Sequence, residues 1–172
     1  MGLFDKLFGS SDSQLPKLHL EDGDIAAPAD GTIIDLKTLP DPMFAGEVLG
    51  KSIAFHHDGD SVVICAPANG VIDQLFPTGH AFQLQTGEGV EILVHIGIET
   101  VNAKGSGFKL YARRKGDRVA AGDPIVKVDL KTLSQKYDMS TILVVTEANG
   151  KTIDFLESGR VQRGQSLLKQ KP

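Results

Sequence analysis

The chain has 172 residues, which suits one domain of ordinary size with a full hydrophobic core. Its 18 basic and 22 acidic side chains leave a formal net charge of -4, and no basic stripe with interleaved aromatic residues is present, so we expect no nucleic-acid partner. Cys65 is the only cysteine, which excludes an internal disulfide and fits a reducing compartment. Its apolar neighbours predict a buried thiol.

The start of the chain differs in composition from the rest. Four apolar side chains would share one face of two successive helical turns, and they are Leu3, Phe4, Leu7 and Phe8. Residues 9–20 are polar and are predicted to be flexible. We therefore expect an amphipathic start and flexible tail over residues 1–20, followed by a single domain over residues 21–172.

From the sequence pattern we expect no membrane span and no secretory signal. Its longest apolar runs fall far short of the roughly 20 residues that a bilayer span needs. The amphipathic start is of a kind that can lie in a lipid interface, although it is very short. We expect a cytoplasmic protein that contacts the inner face of the membrane weakly and transiently, through residues 1–10.

Short apolar runs alternate with Gly, Pro, Asp and Asn from Asp24 onward, and their spacing of about ten residues is typical of an all-β sandwich or barrel. The segment APADG at residues 27–31 recurs as APANG at 66–70, and GDRV at 116–119 resembles GRV at 159–161. We interpret both pairs as hairpin motifs, the first with Asp-Gly or Asn-Gly turns of positive φ. The fold prediction is an antiparallel β-sandwich or barrel built from duplicated hairpin motifs, with one or two short helical turns.

Within the domain, one or two helical turns are predicted where the string DLKTL occurs, over residues 35–38 and 129–136. Pro40 and Pro42 stop a longer helix after the first copy. Residues 41–49 then form an apolar loop with no clear strand period. Exposed apolar clusters of this kind usually belong to an interface, and packing into the core is the alternative.

Two adjacent histidines, His56 and His57, precede Asp58 and Gly59 in a predicted hairpin turn. Neighbouring strand residues face opposite ways, so the two rings would not share a metal ion. We expect a structural or merely exposed role for both histidines.

The stretch GVEILVHIGIETV, residues 89–101, contains a histidine in a strand whose two faces differ. Alternate residues from 90 to 98 are all apolar and should face a core. His95 lies on the other face, beside Leu93 and Gly97. We expect its ring to point toward solvent or a partner, with open space where Gly97 has no side chain.

A second histidine, His80, precedes the strand FQLQ, and a glycine turn near Gly87 joins that strand to the stretch above. Antiparallel pairing would bring His80 beside His95, with Thr78 available to fix a tautomer. A neutral imidazole nitrogen can carry a phosphoryl group, and a second imidazole can donate a hydrogen bond to the phosphoryl oxygens. Metal binding is the alternative use, although two histidines are one ligand short of a catalytic zinc site.

These motifs resemble a known family, the glucose-type enzyme IIA of the bacterial phosphoenolpyruvate-dependent sugar phosphotransferase system. The pattern GxxILVHIGIxTV at residues 89–101 is similar to the family's active-site signature, and TxHAF at 78–82 is similar to the segment with its second histidine. The APxxG turns and KGxGF at residues 104–108 also match. The resemblance covers essentially the whole chain.

The resemblance implies a phosphocarrier that makes no free product alone and requires no cofactor. His95 would accept a phosphoryl group on Nε2 from phosphorylated HPr and pass it to the IIB domain of a sugar permease, while His80 would hold the phosphoryl oxygens. The family's apolar docking ring corresponds here to Met43, Phe44, Val48, Leu49, Phe76, Leu93 and Val101. Its two acidic residues that face an HPr arginine correspond to Asp41 and Glu99.

Regulatory partners also follow from the resemblance. Enteric members inhibit sugar permeases and glycerol kinase, and with the kinase the histidine pair and a partner carboxylate surround zinc, which would make His80 and His95 zinc ligands here. The sequence departs from the family pattern at three positions. Glu99 replaces the usual Asp, which leaves the geometry of the HPr salt bridge open, while Ile96 replaces a frequent Phe and Leu143 an occasional Pro.

Two other classes share this β-architecture. A zinc peptidase of the lysostaphin type needs a His-x-His pair, and the chain has His95-Ile96-Gly97 instead. A biotinyl or lipoyl carrier needs a modified lysine at a hairpin apex, whereas Lys37 and Lys131 lie in the DLKTL strings. The phosphocarrier interpretation is therefore preferred.

Overall fold

The computed structural model describes residues 15–170. Over this range the chain forms two antiparallel sheets, and helix is limited to short turns. The strands in chain order are β1 Gly31–Ile34, β2 Lys51–His56, β3 Ser61–Cys65, β4 Gly70–Leu75, β5 Ala81–Gln85, β6 Glu91–Ile96, β7 Phe108–Leu110, β8 Arg118–Val119, β9 Pro124–Asp129, β10 Thr141–Glu147 and β11 Gly159–Val161. The amphipathic start predicted for residues 1–10 lies outside the described residues.

In the described part of the chain, the larger sheet has the strand order β11-β1-β2-β10-β6-β5-β4-β8, and the smaller sheet has the order β3-β9-β7. One hydrophobic cluster takes Ile64 and Val128 from the smaller sheet and Phe82 and Val94 from the larger. The sheets therefore pack together as a sandwich. The larger sheet is open at β11 and β8, so the sandwich form of the prediction is confirmed. Cys65 is fully buried, as predicted.

Strand β6 lies inside the larger sheet and carries the predicted pattern of two unlike faces. Val90, Ile92, Val94, Ile96 and Ile98 are all at most 7% exposed, which confirms the predicted core face. Strands β5 and β10 pair with β6 on its two sides. The histidine on the opposite face therefore sits on a strand that is fixed along both edges.

A second, smaller hydrophobic cluster joins the segment before β2 to the larger sheet. Its buried members are Leu39, Phe44, Ala54, Ile98, Ile142 and Val144. Within the predicted apolar loop, Phe44 is only 7% exposed, whereas Met43, Val48 and Leu49 are exposed. The core-packing alternative is thus confirmed for Phe44. The other three apolar side chains are exposed and remain available for an interface.

Aspartate caps start most of the helical turns. Within residues 15–170 these turns are the 3-10 turns Leu36–Thr38 and Thr100–Ala103 and the α-helical turns Pro42–Ala45 and Leu130–Leu133. Asp35, Asp41 and Asp129 each accept a hydrogen bond from a backbone N–H in the following turn. Both DLKTL predictions are confirmed, but residues 42–45 form a helical turn instead of an irregular loop, because proline suits the first helical position. No helix among the described residues is long and apolar enough to cross a bilayer.

The two APxxG segments lead into strands and are not hairpin turns. Gly31 and Gly70 are the first residues of β1 and β4, and neither has a positive φ. A Cβ atom would lie 2.7 Å from the His56 carbonyl oxygen at Gly31, and 2.5 Å from the Gln85 carbonyl oxygen at Gly70. The hairpin-turn prediction is therefore wrong at both sites, since these glycines are required by the close approach of a neighbouring backbone.

The repeated segments nevertheless occupy equivalent positions. Strand β1 pairs with β11, and β4 pairs with β8. Gly164 N donates a hydrogen bond to Ala27 O at 2.9 Å, and Gly122 N donates one to Ala66 O at 2.8 Å. Each APxxG segment thus binds the glycine segment that follows a short edge strand. This is the duplicated arrangement that the repeats predict.

His57 lies in the segment that leads from the larger sheet to the smaller one. It lies between β2 and β3, which belong to different sheets, so the hairpin turn predicted there is wrong. The ring is buried, donating from Nδ1 to Asp30 O at 2.7 Å and accepting at Nε2 from Thr141 Oγ1 at 2.8 Å. His56 is exposed. The expected structural role therefore applies to His57, and the exposed role to His56.

The residues just before the domain make contacts that the sequence does not reveal. Arg163 Nη2 donates to Pro16 O at 2.9 Å, and Asn69 Nδ2 donates to Leu20 O at 3.0 Å. The Leu18 side chain packs so closely on the glycine segments at 122 and 164 that a Cβ atom on either glycine would clash with it. Residues 16–20 of the predicted tail thus lie against the domain.

Candidate functional site

The two candidate histidines lie side by side at one end of the β5–β6 pair. In the observed register Ala81 is opposite His95, which brings His80 next to it. Their ring centroids are 5.4 Å apart, with the ring planes nearly perpendicular at 80°. His80 O also accepts a hydrogen bond from Ile96 N at 2.7 Å. The structure therefore has the predicted juxtaposition of the two rings.

The tautomer of His95 follows from its one backbone partner. His95 Nδ1 lies 2.8 Å from Gly97 O, and a carbonyl oxygen can only accept, so Nδ1 carries the proton. In the neutral ring the lone pair is then on Nε2. A nucleophilic nitrogen is thereby presented on the side of the ring away from the backbone.

Gly97 directs its carbonyl oxygen toward this ring by adopting a left-handed conformation, with φ of 76°. A Cβ atom would lie 2.9 Å from the Met139 sulfur and would clash with the Thr100 methyl group. The prediction of open space beside Gly97 is therefore wrong, since neighbouring side chains fill this space. The glycine serves the backbone turn and the close packing around it.

His80 is held from the side of its Nδ1 atom. Thr78 Oγ1 lies 2.5 Å from this nitrogen, as the predicted tautomer-fixing contact requires. The Phe76 ring centroid is 5.3 Å from that of His80, and the Phe44 ring centroid is 5.0 Å from that of His95. Two aromatic side chains therefore border the histidine pair, which restricts water around it.

The electrostatic surroundings favour neutral rings. Burial lowers the pKa of His95 below the 6.5 of a free imidazole, although the hydrogen bond to Gly97 O and the Asp41 charge act in the opposite direction. Burial and the neighbouring His95 ring lower the pKa of His80. Both imidazoles are therefore mainly neutral at pH 7, as a nitrogen nucleophile must be.

The predicted docking ring divides into exposed and buried members. Met43, Val48, Leu49 and Val101 are between 42% and 62% exposed, and they are the exposed large hydrophobic side chains of residues 15–170. The remaining members are Phe44, which is buried, and Phe76 and Leu93, which are half-buried. Phe44 therefore belongs to the smaller core cluster and not to the exposed part of the docking ring.

The two predicted acidic contacts line one groove. Asp41 and Glu99 border a cavity of about 340 Å³ whose wall also includes Lys136, Tyr137 and Asp138. Asp41 Oδ1 accepts a hydrogen bond from Met43 N, and Glu99 is exposed. The groove can receive a cationic side chain, and its role in partner binding stays a prediction.

A metal ion would find an incomplete donor set in this chain. Among residues 15–170 no group of three or more His, Cys, Asp and Glu side chains is arranged to hold one. The histidine pair supplies two imidazoles, while tetrahedral zinc takes four ligands. The pair therefore fits zinc only if a partner supplies further ligands.

Lysines in the DLKTL strings do not have the position of a carrier lysine. Lys37 lies in a 3-10 turn and Lys131 in an α-helical turn, and both are exposed. A modified lysine on a carrier module would lie at a hairpin apex.

Sequence reasoning missed one feature of the site, the turn at Asp138 and Ser140 that contacts Gly97. The only local signal of this turn is an Asp two residues before a Ser.

Comparisons with known proteins agree with this geometry. The family model described as "phosphoenolpyruvate-dependent sugar phosphotransferase system, EIIA 1" matches residues 23–151. The PTS system glucose-specific EIIA component of Haemophilus influenzae is 36% identical over 169 residues, covering 98% of this chain and 97% of that protein. The structure titled glucose permease IIA from Mycoplasma capricolum superposes with a TM-score of 0.79 at 35% identity, covering 89% of this chain and 98% of that one.

Longer relatives contain a similar segment as one part. The PTS system glucose-specific EIICBA component of Staphylococcus carnosus is 36% identical over 147 residues, which are 85% of this chain and 21% of that protein. This chain thus spans about a fifth of that relative's length. The match to the family model and the near-complete alignment with the Haemophilus protein decide the assignment: the chain belongs to the EIIA 1 family of the phosphoenolpyruvate-dependent sugar phosphotransferase system.

Proposed function

We propose that this protein is a phosphohistidine carrier that accepts a phosphoryl group from phosphorylated HPr on His95 and passes it to the IIB domain of a sugar permease. The observation that carries the proposal is the hydrogen bond from His95 Nδ1 to Gly97 O. It leaves a lone pair on Nε2 of a ring whose pKa is lowered. Sugar uptake would be coupled in this way to sugar phosphorylation.

The transfer step needs no proton to leave His95. Its Nε2 lone pair attacks phosphorus, the bond between phosphorus and the donor atom breaks, and that electron pair stays on the donor atom. The Nδ1 proton stays on His95, where its hydrogen bond to Gly97 O strengthens as the ring gains positive charge. One bond to phosphorus forms as another breaks, so the step is balanced and reversible, as a carrier requires.

His80 has a supporting role in the proposal. If the Thr78 hydroxyl donates to His80 Nδ1, the ring proton lies on Nε2 and can bind a phosphoryl oxygen. Charge that develops on the phosphoryl group in the transition state would strengthen this bond. Thr78 would then act by fixing the tautomer of His80.

The docking surface in the proposal consists of the exposed apolar side chains and the acidic groove. Met43, Val48, Leu49 and Val101 would pack against both the donor and the acceptor. Asp41 and Glu99 would face a cationic side chain of the donor. The names of the Staphylococcus relatives, glucose-specific and glucoside-specific EIICBA components, support a IIB partner, since they join A to B and C.

Regulation and location complete the proposal. In the unphosphorylated form the same surface would bind sugar permeases or glycerol kinase, and zinc would enter only where a partner carboxylate joins the histidine pair.

The protein would work in the cytoplasm, with residues 1–10 in weak contact with the inner face of the membrane. Co-sedimentation with liposomes, comparing the full chain with one that lacks residues 1–10, tests the membrane contact.

The test of the main proposal is intact mass spectrometry after incubation with phosphoenolpyruvate, enzyme I and HPr. We expect a mass gain of one phosphoryl group, labile in acid, that is lost in His95→Ala. His56→Ala is the matched control, because this histidine is exposed at the end of β2, and it should label normally. A mass gain that persists in His95→Ala would refute the assignment.

A second variant tests the supporting role. His80→Gln should still accept the phosphoryl group but transfer it to IIB about 10²- to 10³-fold more slowly, the usual effect of losing one well-placed transition-state donor. The Gln amide can donate a hydrogen bond, but it lacks the fixed ring position that Thr78 gives to His80. The measurement is single-turnover transfer from the isolated phosphorylated variant. Normal transfer would contradict the role given to His80.

A further inference from the structure

A three-residue turn just before β10 is closed by one side chain. Asp138 Oδ1 accepts hydrogen bonds from Ser140 N at 2.9 Å and from Ser140 Oγ at 2.6 Å. An aspartate that binds the backbone two residues ahead forms a local turn that resembles a backbone turn. The side chain of Asp138 therefore determines the shape of residues 138–140.

The same turn holds the end of β6 through two backbone hydrogen bonds. Gly97 N donates to Ser140 O at 2.8 Å, and Ile98 N donates to Asp138 O at 2.8 Å. Between these bonds, the Met139 sulfur packs where a Cβ atom of Gly97 would lie. The left-handed residue after β6 is thus bound on both of its flanking amides.

One rigid peptide unit links this turn to the histidine. The carbonyl of Gly97 and the N–H of Ile98 belong to the same planar amide, so fixing one of them fixes the direction of the other. Its N–H is bound to Asp138 O, and its oxygen accepts the proton of His95 Nδ1. A chain of such bonds also polarises each member, which strengthens the bond to the ring.

We infer that Asp138 is a positioning residue for His95: by closing the turn at 138–140, it orients the Gly97–Ile98 amide that keeps the His95 proton on Nδ1 and the lone pair on Nε2. The inference rests on the proposed function, for which Nε2 must be free. The Asp138 carboxylate contacts neither the ring nor the phosphoryl group in this assignment. Its effect passes through the backbone.

An electrostatic role for Asp138 would predict different effects for two of its variants. Asp138 also lines the groove with Asp41 and Glu99, where its charge would attract a cationic partner. Asp138→Asn removes the charge and keeps an oxygen acceptor in the same place, whereas Asp138→Ala removes both. Positioning requires the acceptor alone, so Asp138→Asn should behave like the wild type and Asp138→Ala should not.

The experiment is ¹⁵N-detected histidine NMR of the unphosphorylated full chain at neutral pH, which reports the tautomer of each ring. Wild type and Asp138→Asn should show His95 protonated on Nδ1. In Asp138→Ala the ratio of this tautomer to the other should fall by up to about tenfold, the value of one net hydrogen bond. His57, which donates from Nδ1 to Asp30 O, is the internal control for an intact fold and should not change.

Further variants keep the inference falsifiable. If the His57 signal shows that Asp138→Ala is unfolded, Asp138→Ser takes its place, because a hydroxyl closes this type of turn more weakly and should give an intermediate ratio. An unchanged His95 tautomer in the folded variant overturns the inference, and so does equal impairment of Asp138→Asn. The NMR measurement uses no phosphoryl donor, so it decides the inference even if the mass test fails.

Discussion

Replacement of Gly97 by alanine should destabilise the protein more than its backbone conformation alone explains. Gly97 has φ of 76°, and a left-handed alanine costs about 1 to 2 kcal/mol. Its Cβ atom would also lie 2.9 Å from the Met139 sulfur and clash with Thr100, which is buried. Overpacking of this kind costs about 1 to 3 kcal/mol. We therefore expect the free energy of unfolding to fall by about 2 to 5 kcal/mol.

Urea denaturation measures this change, and the chain offers a matched control. Gly150 has nearly the same φ, 78°, and a Cβ atom there would have no neighbour within 4 Å. Gly150→Ala should therefore lose only the backbone cost, about 1 to 2 kcal/mol. If Gly97→Ala loses no more than Gly150→Ala, the packing around Gly97 does not hold the turn, and the account of its carbonyl is wrong.

Three further predictions concern pH and packing. The initial rate of phosphoryl uptake by His95 from phosphorylated HPr should decrease toward acid pH with a midpoint below 6.5, because burial lowers the pKa of this ring. A midpoint above 6.5 would contradict this. The free energy of unfolding should decrease as the pH falls through 6.5, since burial lowers the folded-state pKa of His57, His80 and His95 and the unfolded chain therefore binds more protons there. Urea titrations one unit above and below this value check it, and equal stabilities would refute it. Leu18→Ala should lower the free energy of unfolding by about 1 to 3 kcal/mol in urea denaturation, less than a fully buried leucine, because Leu18 is half-buried against Gly122 and Gly164. The exposed His19→Ala should cost almost nothing, and equal losses for the two variants would contradict this packing.

Local sequence patterns predict the parts of the structure that depend on near neighbours. The alternation in β6 separates the core face from His95 because strand side chains alternate by geometry. The approach of His80 to His95 follows from the short turn between β5 and β6, which fixes a register that places Ala81, the residue after His80, opposite His95. The aspartate caps are also local, and they explain why both DLKTL strings form helical turns.

Contacts between distant residues explain the errors. A glycine after Asp or Asn usually marks a turn, but at Gly31 and Gly70 the reason is a strand from another part of the chain. His57 binds partners 27 and 84 residues away, at Asp30 and Thr141, and no local signal announces them. The space predicted beside Gly97 is filled partly by Met139 from the turn before β10, which is distant in sequence, and partly by Thr100, which is three residues away.

Identification of the atom that carries the phosphoryl group tests the central claim most directly. NMR of the phosphorylated, ¹⁵N-labelled protein detects the coupling between phosphorus and the nitrogen to which it is bound. Because Gly97 O holds the proton of His95 on Nδ1, the account predicts a single phosphoryl group on His95 Nε2. Phosphorus bound to Nδ1 of His95, or to either nitrogen of His80, would contradict it.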